Sequence, residues 1–121
     1  MLFTLLCKVF IYTELMKKRS HLDDFCPVAK VAELLGDTCS LLIVRDLLKG
    51  SKRFKNIEDS LSPISTRTIT KKLKLLEERK IITRTTYRER HPRVEYSLTK
   101  EGRHLKTLIN NMKIFGESFL R

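Results

Sequence analysis

The tripeptide Ser62-Pro63-Ile64 interrupts what would otherwise read as one continuous helical stretch. Upstream, RFKNIEDSL places Phe54, Ile57 and Leu61 at i, i+3 and i+7, one apolar face of a two-turn helix. Downstream, STRTITKKLKLLEERK carries Ile69, Leu73 and Leu76 as a buried stripe, and Ser65 is a good N-cap for it. Two short helices joined by a turn of about three residues form a helix-turn-helix. That motif constrains the architecture strongly and the function only moderately, because many helical bundles contain such a pair.

The flanking segments extend the pattern. Pro27 suits the first position of a helix over VAKVAELL, with Val28, Val31, Ala32 and Leu35 on one face and Gly36 closing it. SLLIVRDLLKG reads as a second helix, with Ser40 as its cap and Gly50 at its end. After the helix over 65–80, residues 81–87 and 93–99 are rich in Ile, Thr, Val and Tyr. Val94, Tyr96 and Leu98 alternate with polar residues as in a half-buried strand, and Pro92 belongs at the hairpin tip. Thr99 would cap a last helix with a stripe of Leu105, Leu108, Ile109, Met112 and Phe115. The expected fold is mainly α with a small β-hairpin: a winged helix-turn-helix with an additional C-terminal dimerisation helix.

Burying Ile69, Leu73 and Leu76 turns Thr66, Arg67, Thr70, Lys71 and Lys74 outward, with Ser65 and Thr68 at the N-terminal end. A helix in the major groove presents its first turns to base edges, where Arg can grip guanine and Thr offers a hydroxyl or methyl; Lys71 and Lys74 suit phosphates. The hairpin tip TYRERHPRV crowds Arg88, Arg90, His91 and Arg93 around Pro92, more charge than a turn needs. Beside a recognition helix these side chains would reach flanking phosphates or the minor groove. A lone basic helix is usually a solvated face. Here helix, tip and a formal net charge of +11 agree in sign, which implies a polyanionic partner, double-stranded DNA first.

The residues from Cys26 to about Gly116 resemble the HxlR-type regulators, a MarR-like branch of bacterial winged-helix transcription factors. The resemblance is carried by CP, RF, the IS-R helix start, PRVEYSLT and KEGR in that order. It implies a homodimer on a palindromic operator, with N- and C-terminal helices forming the subunit interface. Cys39 departs from the pattern, since the family usually has Trp there, so packing around the first two helices is expected to differ.

Cys26 precedes Pro27 at the N-cap of the first helix, where unpaired backbone N–H groups and the helix dipole favour a thiolate; Asp23 and Asp24 oppose this and Lys30 assists. In several members of the resembled family the cysteine of this pair senses oxidants or electrophiles, so Cys26 stands as either a redox-sensing residue or a structural one. Cys39, in an apolar run, reads as a small core residue. With three cysteines and no Cys-x-x-Cys spacing, neither a disulfide framework nor a zinc finger is indicated, and a cytoplasmic setting fits.

His21, His91 and His104 lack metal-ligand spacing, and no catalytic motif or phosphate-binding loop occurs, so no metal, no cofactor and no enzymatic activity are expected. Residues 1–25 form an N-terminal extension to the domain over 26–121. Its apolar start, MLFTLLCKVFIY, is too short to span a bilayer. Either translation begins at Met16, or the segment is an extra apolar helix covering a subunit interface. Two further functions compete with the regulator: a winged helix used as a protein-interaction module with a basic surface, and a basic protein resting on a membrane through residues 1–15.

Overall fold

The computed structural model describes residues 26–121. Readings that fall on residues 1–25, including the start at Met16 and the aspartates before Cys26, lie outside the described residues. The chain divides into two compact units, the second running from Leu35 to Arg121. Helix α1, Pro27–Leu35, lies almost wholly in the first, with Val28 and Val31 exposed.

The second unit holds α2 (Thr38–Leu47), β1 (Lys52–Arg53), α3 (Phe54–Leu61), α4 (Thr66–Glu78), β2 (Ile82–Tyr87), β3 (Arg93–Leu98), a 3-10 turn (Gly102–His104) and α5 (Leu105–Phe119). Its core is formed by Ile43, Val44 and Leu47 of α2, Ile57 and Leu61 of α3, Ile69, Leu73 and Leu76 of α4, and Ile82 and Leu98 of the sheet. Ile57, Leu61, Ile69, Leu73 and Leu76 are positions that the helical spacing marks out, whereas Phe54, expected on the same face, is half-buried; each full burial contributes about 1.5–3 kcal/mol before chain entropy is set against it. The winged helix-turn-helix expected from the sequence is therefore the observed fold.

Several local expectations need correcting. The cap of α2 is Asp37, whose carboxylate accepts the Ser40 N–H at 3.0 Å; Ser40 itself is fully buried inside the first turn. The wing is a three-stranded sheet in the order β1-β3-β2, because Lys52 and Arg53 pair with Tyr96 and Glu95. Along β3 exposure does not alternate cleanly: only Leu98 is buried and the rest are half-buried, since the added β1 leaves β3 as the central strand.

Two junctions fix the hairpin to the helices. At the end of α4, Lys80 adopts φ 60°, Ile81 N–H donates to Leu76 O and Lys80 N–H to Glu77 O, a Schellman closure with lysine where glycine is usual. Thr99 Oγ1 donates to Lys80 O at 2.7 Å and accepts the Gly102 N–H at 3.0 Å. Thr99 thus ties the end of β3 to the first residue of the 3-10 turn and does not cap α5, whose N-cap is His104. A side chain at Gly102 would meet Ile81 O at 2.2 Å, so only glycine permits this approach.

Candidate DNA interface

The turn between α3 and α4 delivers Ser65 as the N-cap of α4, its Oγ accepting the Thr68 N–H at 3.2 Å and lying 2.9 Å from Thr68 Oγ1. Thr70 Oγ1 donates to Thr66 O at 2.8 Å, and the Thr66 hydroxyl donates to the Glu58 carboxylate of α3. The hydroxyls expected at the helix start are thus already engaged in shaping it. Glu58 is a member of this surface that sequence reading missed; only the spatial approach of α3 to α4 reveals it.

Arg67, Lys71 and Lys74 recur at i, i+4 and i+7 on the face opposite Ile69, Leu73 and Leu76. All three are exposed, and none has an ion-pair partner among the described residues. Lys72, on the inner side, pairs with Asp37 at 3.5 Å. No acidic residue stands in the first turn of α4, so its N-terminal N–H groups and dipole favour an anion.

In the wing, Arg88, Arg90 and His91 are exposed and carry no ion pair among the described residues. Arg93 differs from them. Its guanidinium lies 4.7 Å from the centroid of the Tyr87 ring and 3.7 Å from both Glu89 and Glu95. One arginine therefore pairs with both carboxylates near the tip and clamps the hairpin, leaving Arg88 and Arg90 without an ion pair among the described residues. The exposed Arg84 on edge strand β2 adds a cation that the sequence reading did not single out.

Cys26 is half-buried at the start of α1, where its Sγ accepts the Ala29 N–H at 3.4 Å and its carbonyl accepts the Lys30 N–H. Cys39 is 4% exposed, as a core residue should be; burial first, then the Asp37 carboxylate, push its thiol up, with Lys72 opposing. Among the described residues no group of His, Cys, Asp and Glu is arranged to hold a metal, and no helix is long and apolar enough to cross a membrane.

Residues 34–121 match the HxlR-like helix-turn-helix family. An HTH-type transcriptional regulator of Synechocystis sp. is 37% identical over 117 residues, covering 93% of this chain and 87% of that protein. Among solved structures, a MarR-family regulator from Porphyromonas gingivalis superposes with TM-score 0.75 at 30% identity, covering 80% of this chain and 95% of the other. The reduced form of the regulator YodB from Bacillus subtilis superposes with TM-score 0.69 at 33% identity, covering 78% and 94%. The redox regulator HypR in its reduced form gives TM-score 0.72 at 34% identity, covering 76% and 91%. The chain belongs to the HxlR-like helix-turn-helix family, and is a DNA-binding transcriptional regulator of the HTH type and not an enzyme.

Proposed function

We propose that the protein acts as a homodimer on a palindromic operator, reading bases with the first turns of α4 and gripping phosphates with the wing. The observation that carries this reading is the set of unpaired cations at Arg67, Lys71, Lys74, Arg88 and Arg90, on an exposed helix face and a hairpin tip. Arg67 is assigned to a base edge, with Ser65, Thr66, Thr68 and Thr70 lining the approach. Lys71, Lys74, Arg88, Arg90 and His91 are assigned to phosphates, and Arg93 to holding the tip in shape. A DNA target places the protein with the nucleoid in the cytoplasm.

The dimer reading rests on α5. None of its fifteen residues is buried, yet Leu108, Met112, Phe115 and Phe119 form an exposed apolar row, with the last two rings 5.0 Å apart. An apolar cleft of about 270 Å³ between α2 and α5 continues it, lined by Leu41, Leu42, Ile109 and Met112. A contiguous apolar surface of this kind marks an interface, and a second copy presents the same surface in return.

Cys26 is assigned as a thiol switch. Its sulfur sits at a helix start, and the solved relatives include HypR in reduced and oxidised forms and YodB in reduced and diamide-treated forms. An adduct on Cys26, or a disulfide formed when two Cys26 thiols give their hydrogens to an oxidant such as diamide, would change the spacing of two recognition helices that must stand about 34 Å apart.

Selection from random duplexes with the purified protein tests the reading. Recovery of a palindrome with half-sites about one helical turn apart is expected. A motif without two-fold symmetry, or no enrichment, would refute it.

A further inference from the structure

The hydroxyls at the start of α4 have little left to donate. Ser65, Thr66, Thr68 and Thr70 each carry one hydroxyl hydrogen. Thr70 gives its hydrogen to Thr66 O at 2.8 Å, and Thr66 gives its own to the Glu58 carboxylate. Ser65 Oγ and Thr68 Oγ1 stand 2.9 Å apart, so one hydrogen bridges that pair. An incoming partner meets lone pairs here, beside the guanidinium of Arg67.

The Thr70 bond and the Ser65–Thr68 pair are local habits of a helix start, each spanning three or four residues. The bond from Thr66 to Glu58 spans eight residues and joins α4 to α3. Glu58 is half-buried beside the fully buried Ile57, and among the described residues it forms no ion pair. Thr66, the first residue of α4, is exposed. An ionised carboxylate can only accept, so the direction of the bond is fixed and Thr66 must donate.

Two consequences follow for a helix lying in a major groove. The first turn of α4 has no acidic residue of its own, and Glu58 supplies from α3 the negative charge that a helix start favours. A phosphate oxygen beside Thr66 would meet that charge, which leaves the place to base edges. The second concerns which base. A free threonine hydroxyl can donate to a base or accept from one, so it discriminates little; with its hydrogen committed, Thr66 Oγ1 accepts. Amino hydrogens in the major groove belong to cytosine N4 and adenine N6, whereas guanine and thymine present carbonyl oxygens at the equivalent place.

We infer that Glu58 determines specificity through Thr66: by taking the Thr66 hydroxyl hydrogen, it makes the first residue of α4 select cytosine or adenine over guanine or thymine on the strand it faces. Glu58 is thus a positioning residue one step removed from the DNA. The inference rests on the reading that α4 enters the major groove.

The test is selection from random duplexes with wild type, Glu58→Gln, Thr66→Val and the double variant, alongside affinity for one random duplex and thermal unfolding. Glutamine keeps the shape of glutamate but both donates and accepts, so packing is preserved and the direction of the bond is lost. Wild type should prefer cytosine or adenine at one position in each half-site. Glu58→Gln should reduce that preference about threefold to tenfold, the worth of one hydrogen bond, with the other positions, the unfolding midpoint and random-duplex binding retained. Thr66→Val should lose the same preference, and adding Glu58→Gln to it should change nothing more at that position. A further shift in the double variant would overturn the route through Thr66. A motif that Glu58→Gln reproduces base for base, or a loss of affinity uniform across sequences, would overturn this inference alone and leave Glu58 a structural residue. No enriched motif with wild type would overturn base reading by α4 and this inference together.

Discussion

The guanidinium of Arg93 lies over the ring of Tyr87, 4.7 Å from its centroid, across the first pair of the wing ladder. This pair separates the roles of the arginines around Pro92. Arg93→Ala should lower stability by about 1 kcal/mol through loss of the cation–π and ion-pair contacts, and weaken DNA binding indirectly. Arg90→Ala should leave the unfolding midpoint unchanged, lower affinity, and reduce the salt slope by about one. Urea unfolding and binding measured across salt concentrations check both; equal stability losses would reject the division.

Asp37 links stability to pH. Burial works to raise its pKa, but the hydrogen bonds from Ser40 and the nearby Lys72 ammonium outweigh it, so the carboxyl is held below its ordinary value. A group depressed in the folded state stabilises it above the unfolded pKa, about 3.9, and that contribution is lost as pH falls through the lower folded value. Asp37→Asn keeps an N-cap acceptor and loses the charge. Its stability deficit against wild type, measured by urea unfolding, should be present at pH 6 and close on acidification below about pH 4. A deficit independent of pH would contradict this.

Leu108→Asp or Met112→Asp places a carboxylate on the exposed row of α5. In a single subunit the change is solvated and the fold should persist. In a dimer it leaves a buried, unpaired charge, costing about 3–5 kcal/mol. Sedimentation should show wild type as a dimer at micromolar concentration and the variants as folded monomers. A monomeric wild type would remove the premise.

For the thiol switch, wild type, Cys26→Ser and Cys39→Ser are compared on the selected duplex before and after diamide. Binding should fall in wild type and in Cys39→Ser, whose thiol is buried and disfavoured as thiolate, and should persist in Cys26→Ser. An equal response in all three would leave Cys26 a structural residue.

How far the sequence reaches is visible in particular residues. Ile57, Leu61, Ile69, Leu73 and Leu76 are legible because helical spacing alone puts them on one face, and Ser65 because a cap must stand where an apolar stripe begins. Asp37 and Ser40 are both cap formers three residues apart, and only the burial of Ser40 decides between them. β1 has two residues and no period of its own; it is a strand because β3 offers it partners. Lys80 takes a left-handed conformation with no glycine to announce it. In the site, the free cations of α4 follow from the buried stripe. The separate role of Arg93 emerges only once the register sets it opposite Tyr87 and between two glutamates.

The central claim, that the first turns of α4 read bases while its later cations hold phosphates, is tested most directly by Arg67→Ala and Lys71→Ala on the selected operator and on random duplex. Arg67→Ala should cost about 1–3 kcal/mol on the operator, relax preference at one position in each half-site, and barely change random binding. Lys71→Ala should weaken both duplexes alike and lower the salt slope by about one. If the two changes alter affinity equally on operator and random duplex, α4 is not the helix that reads the sequence.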